Sequence, residues 1–113
     1  MQEISYDAAI KEAEELEQQK QTAISDQKYT EVLRIVREQR IFYWRVEKIL
    51  YSAATRHPDL VLLAKNCKPA LETLETFLDA QKAALEIQDI TTFNRIRENE
   101  IQVLKQLFER IQK

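Results

Sequence analysis

No glycine occurs anywhere in the 113 residues of this chain. Two-residue hairpin turns rely on glycine for their positive-φ positions, and bulges and close backbone approach in sheets use it again. Its absence argues against a β architecture. It also removes the phosphate-cradling loops, because the Walker-type loop and the dinucleotide fingerprint are both built on glycine backbone.

The spacing of the apolar residues supplies the positive half of the argument. Hydrophobic residues make up 44% of the chain, enough to build a folded core, and they recur in steps of three and four as on one face of a helix. The first helix is read from about Ser5 to Ile24, with the seam Ala9, Ala13, Leu16, Lys20, Ala23. Asp7, Glu12, Glu14 and Glu15 favour its N-terminal half, as the helix dipole prefers. Ser25-Asp26 then offers a cap for a second helix from Lys28 to Thr55, with the seam Tyr29, Val32, Val36, Gln39, Tyr43, Val46, Leu50, Ala53. Arg56-His57-Pro58-Asp59 is the main turn, with Pro58 suited to a first helical position. A third helix follows to about Gln88 on the seam Leu60, Ala64, Cys67, Leu71, Leu74, Leu78, Gln81, Leu85. Pro69 lies inside it, but the seam keeps its phase, so one kinked helix is favoured over two. Asp89 or Thr91 caps a fourth helix to about Ile111, with apolar face Phe93, Ile96, Val103, Leu104, Leu107 and Ile111.

The expectation is therefore a single all-α domain over residues 1–113, an antiparallel up-down four-helix bundle. The alternative is a three-helix array whose first rod is long and bent through Ser25-Asp26. A faint internal repeat relates Gln19-Lys20…Ile41 to Gln81-Lys82…Ile101, with Arg37-Glu38-Gln39 against Arg97-Glu98-Asn99 and two residues of insertion between the stretches.

Little in the chain points to catalysis. The single histidine, His57, lies in a turn, and the single cysteine, Cys67, lies on an apolar seam. Neither has the partners a nucleophile or general base needs. One His and one Cys make no zinc site, and the Glu-x-x-His pattern of di-iron bundles is missing. We expect no enzyme activity, no cofactor and no metal. The formal charge of −2, from 17 basic and 19 acidic residues, leaves no electrostatic footprint for nucleic acid. The longest uncharged apolar run, Leu60 to Ala64, is too short to span a membrane. Met1-Gln2-Glu3-Ile4 does not read as a secretory leader, and a lone cysteine suits the cytoplasm, which is the expected location.

Two features remain. Lys20, Gln39, Gln81 and Glu100 fall on apolar faces, where a buried polar layer would fix helix register; Arg37 or Arg40 is a candidate counter-ion for Glu100. On the helical wheel, Ile41 falls outside the core stripe of the second helix, Trp44 and Tyr51 lie on its flank, and Arg37, Arg40 and Arg45 surround them. Trp, Tyr and Arg are the residues enriched at binding hot spots. These six are the candidate partner-binding residues. The competing reading is that the first helix or a second subunit covers the face.

On Thr22-Ala23-Ile24-Ser25-Asp26-Gln27-Lys28-Tyr29, followed by Leu33, Arg37 and Arg40, the stretch Ala13 to Leu50 resembles the small helical chaperones of flagellar and type III export. The resemblance covers about a third of the chain. It departs from the family in ending without the flexible C-terminal tail that such chaperones often carry. It implies cytoplasmic capture of an amphipathic helix of an export substrate, beside the second helix near Ile41, Trp44 and Tyr51. The expected function is thus non-catalytic protein binding as a chaperone or adaptor for a helical segment. The alternatives are a structural subunit of a homo- or hetero-oligomer, such as a homodimer, and a small inhibitor or immunity-type regulator.

Overall fold

In the computed structural model, which describes residues 6–112, four helices follow one another with short connections: α1 Tyr6–Ser25, α2 Tyr29–Arg56, α3 Val61–Glu86 and α4 Ile90–Gln112. A short 3-10 turn, Pro58–Leu60, leads into α3. The expected helix start at Ser5 and the Met1–Ile4 opening lie outside the described residues.

The four heptad-like seams converge on one core. Ala9, Ala13, Leu16 and Ala23 of α1, Val32, Val36, Tyr43 and Leu50 of α2, Leu71, Leu74 and Leu78 of α3, and Phe93 and Leu107 of α4 are all buried. Successive helices run antiparallel. Arg40 of α2 reaches Asp79 of α3, and Gln81 of α3 meets Glu100 of α4. The up-down-up-down bundle expected from the seams is the observed fold, about 46 × 23 × 19 Å. Ala54, Ala84 and Phe108 are buried as well, although the seams did not include them. Pro69 does not split α3, which is one helix through it.

The connections differ from the sequence expectation in one respect. Ser25 and Asp26 do not cap α2, because α1 continues through Ser25 and the chain reverses one residue later. Gln27 takes a left-handed conformation, φ 59°. Its N–H donates to Ile24 O at 3.1 Å and the Lys28 N–H donates to Ala23 O at 2.9 Å. This pair of bonds is a Schellman motif, which satisfies carbonyls that a helix end leaves open. The reversal rules out the bent first rod. At the α3–α4 turn Gln88 has φ 56°, and Gln88 N and Asp89 N donate to Leu85 O and Ala84 O at 3.0 and 2.9 Å. Both hairpins thus close in the same way, with glutamine where glycine is the usual residue.

The two hairpins are equivalent at a constant spacing of 61 residues. Lys20 and Gln81 are 61 apart, and the partners Lys20–Gln39 and Gln81–Glu100 are each separated by 19. The residues matched in the sequence do not fall at that spacing, since Gln19 and Gln81 are 62 apart and Arg37 and Arg97 are 60 apart. No insertion separates the halves, because both turns have the same length.

α4 opens on Asp89, whose Oδ1 accepts from Thr92 N–H at 3.1 Å and whose Oδ2 accepts from the Thr92 hydroxyl at 2.6 Å. Of the two expected caps, Asp89 is the one used. Those two hydrogen bonds, through the Thr92 hydroxyl first, hold its carboxyl below the usual aspartate value.

Candidate functional site

Two arrangements stand apart from ordinary core packing, one sealed inside the bundle and one on its surface.

The interior one brings together all four polar residues read on apolar faces. Lys20, Gln39, Gln81 and Glu100, one from each helix, are buried at one level of the bundle. The Lys20 ammonium has three protons to place. It donates to Gln39 Oε1 at 2.8 Å, Gln81 Oε1 at 2.7 Å and Glu100 Oε1 at 2.6 Å. Gln81 Nε2 donates to the same Glu100 oxygen at 2.8 Å, and the Tyr43 hydroxyl donates to Glu100 Oε2. At the edge of the layer, Gln39 Nε2 donates to Glu17 Oε2 at 3.4 Å and Arg97 Nη1 to Glu17 Oε1 at 2.8 Å. Two cations and two carboxylates balance. Burial, reinforced by the Glu100 carboxylate, raises the Tyr43 hydroxyl well above the ordinary tyrosine value.

Neither Arg37 nor Arg40 is the counter-ion of Glu100, contrary to the sequence expectation. Both project from the outer side of α2, and Arg40 pairs with Asp79 instead. Lys20, on the neighbouring helix α1, takes that role. The sequence marks Tyr43 only as a core residue, because an aromatic side chain on an apolar seam gives no sign that its hydroxyl will meet a carboxylate.

Cys67 is fully buried. Burial pushes its thiol up, partly opposed by Arg110, so it lacks the low pKa of a reactive thiolate. His57 is exposed in the turn before Pro58. Among the described residues no group of three or more His, Cys, Asp or Glu side chains is placed to hold a metal ion, and no helix is long and apolar enough to cross a membrane.

The surface arrangement lies on α2. Ile41 is 48%, Trp44 53% and Tyr51 40% exposed. Arg37 is exposed nearby. Arg45 pairs across to Glu12 of α1 at 2.9 Å, and Arg40 is held on the α3 side by Asp79. The six candidate residues thus share one outer surface, but two of the arginines are already tied to neighbouring helices. α1 does not cover the face. It lies to one side, and a shallow cleft lined by Glu12, Leu16, Glu38, Ile41 and Arg45 separates it from the patch. At the opposite end a second cleft, lined by Tyr51, Ala54, Thr55, Val61, Ala64 and Lys65, leads to exposed Val61 and Leu62 on α3.

The small side chains of α1 leave further openings along its flanks. One apolar cleft of about 200 Å³ runs between Ala8, Ala9, Phe42, Ile49, Leu50 and Phe108. Another, of about 340 Å³, runs between Ile10, Ala13, Gln18, Leu104, Lys105 and Phe108. The five central residues of the polar layer line none of these clefts.

No family model, no curated protein and no solved structure matches the chain.

Proposed function

We propose that this chain is a non-catalytic helical bundle that binds another protein, acting as a cytoplasmic adaptor or chaperone that captures an amphipathic helix along the outer face of α2. The observation that carries this reading is the exposure of Ile41, Trp44 and Tyr51 on a single face. Large apolar side chains clustered on the surface of a folded chain mark an interaction site more often than scattered ones do. Aromatic residues beside arginine are also the composition of binding hot spots. A rigid four-helix scaffold can present such a face to a partner helix with little rearrangement. The resemblance of the Ala13–Leu50 stretch to export chaperones supports an export substrate as the class of partner.

The second reading is a structural subunit, favoured by the same exposure if another copy covers it permanently. Light scattering after gel filtration, on the wild type and on an Ile41→Lys/Trp44→Lys variant, separates the two. The adaptor reading expects folded monomers in both, with hydrophobic-dye binding lost in the variant. A wild-type dimer that becomes a folded monomer on substitution would replace it with the subunit reading.

A further inference from the structure

The exposed face of α2 has a spacing that isolated exposure values conceal. Arg37, Ile41, Trp44, Lys48, Tyr51 and Thr55 are all exposed and follow one another in steps of four, three, four, three and four. This is the seam spacing of a coiled coil, in which each position fills a hole on the facing helix. The seam covers about 27 Å of helix. It lies opposite the buried seam that holds Val32, Gln39, Tyr43 and Leu50 in the core. α2 therefore has two helix-packing faces, and the bundle uses one.

The charges in the outer seam define what can occupy the other. Arg40 and Arg45, on its margins, are paired within the chain. Arg37 and Lys48 lie in the seam itself and make no ion pair or hydrogen bond among the described residues. A helix docking on Ile41, Trp44 and Tyr51 would take both cations out of water. Desolvating a cation without a counter-charge is costly, and the seam holds no carboxylate of its own. A second copy pairing through this same seam cannot supply one. Parallel pairing would set Arg37 against Arg37 and Lys48 against Lys48. Antiparallel pairing centred on the patch would set Arg37 against Thr55 and Lys48 against Trp44, with Arg45 beside Arg45 and Glu47 beside Glu47 at the margins. Lys65, in the cleft beyond Tyr51, adds a third cation to the same surface.

We infer that the occupant of this face is a helix from a different protein whose apolar heptad seam is interrupted by carboxylates set against Arg37 and Lys48. The inference rests on the helix-binding reading and narrows it to an acidic amphipathic helix. Charge complementarity of this kind selects partners and speeds their encounter.

The test uses the only tryptophan in the chain, Trp44, whose emission reports on this face alone. Two synthetic helical peptides of about three heptads share a leucine seam and differ at the two positions facing Arg37 and Lys48, where one carries Glu and the other Lys. The acidic peptide should shift Trp44 emission to the blue and bind at least about tenfold more tightly than the basic one, a preference that weakens in high salt. The Arg37→Glu/Lys48→Glu variant, checked for native circular dichroism, should invert it. Equal binding of both peptides, or an unchanged preference in the variant, overturns the charge inference but leaves helix capture standing. No binding of either peptide by folded protein overturns both. A blue-shifted, concentration-dependent emission without peptide would place a second copy on the face and also overturn it.

Discussion

The ammonium nitrogen of Lys20 lies 2.6 Å from Oε1 of Glu100, with the two side chains 0% and 1% exposed. They belong to the first and last helices, so this ion pair ties the ends of the described chain together through the middle of the bundle. Each partner is fully hydrogen-bonded, the condition under which a buried pair is tolerated.

Removing one member of the pair should be far worse than removing both. Lys20→Met or Glu100→Leu alone strands an opposite charge in the core and should cost about 3–5 kcal/mol. Lys20→Met with Glu100→Leu replaces the pair by apolar volume and should recover most of that loss. Urea unfolding of the three variants measures the coupling. Additive losses would mean that the two residues act independently.

The Tyr43 hydroxyl donates to Glu100 and is held protonated by burial and by that carboxylate. Its folded pKa is raised, so its contribution to stability is complete below the ordinary tyrosine value of 10.0 and declines as pH climbs from there through the folded value. A spectrophotometric titration should show one tyrosine silent until the chain unfolds, and Tyr43→Phe should abolish that late step. The same substitution leaves Glu100 Oε2 without its donor and should cost about 1–3 kcal/mol at neutral pH.

Gln27 and Gln88 hold left-handed conformations at the two Schellman turns. A side chain with a Cβ is strained there by roughly 1–2 kcal/mol, a strain that glycine lacks. Part of that gain is lost to the greater freedom of glycine in the unfolded chain. Gln27→Gly and Gln88→Gly should therefore each raise stability by about 0.5–1 kcal/mol. Thermal unfolding of the single variants checks this, and a lowered Tm would show that the glutamine side chain contributes more than its backbone costs.

Asp89 caps α4 through Thr92, and its carboxyl is held below the usual value. A depressed carboxyl stabilises the fold above its unfolded pKa, and that contribution fades as pH falls through the folded value. Asp89→Ala should lower Tm at neutral pH, and the gap to wild type should narrow in acid. A gap independent of pH would assign the effect to packing rather than to the ionised cap.

The helices were legible because a step of three or four survives in the sequence whatever the neighbours are. The polar residues of the interior were legible for the same reason: Lys20, Gln39, Gln81 and Glu100 interrupt otherwise apolar seams. Their partners were not. A helical wheel gives the direction of a side chain but not its height along the bundle. Height depends on the hairpin turns, and those turns use glutamine, which advertises no left-handed backbone. Arg37 and Arg40 looked like neighbours of Glu100 only because that height was unknown. On the surface, Ile41, Trp44 and Tyr51 were found as outliers from the core stripe. Lys48 and Thr55 were not singled out, because each reads as an ordinary solvated residue until placed in a heptad with the others.

The 61-residue equivalence of the two hairpins also restricts how halves of different molecules can recombine. Equivalent positions carry different residues: Lys20 stands where the second half has Gln81, and Gln39 where it has Glu100. Two first hairpins brought together would bury a pair of lysines without Glu100. Two second hairpins would bury a pair of Glu100 carboxylates without a lysine. Only a first hairpin against a second one closes the layer with its charges matched. An exchange between molecules that respects this rule reproduces every central bond, and one that breaks it leaves like charges face to face in the dark centre of the bundle.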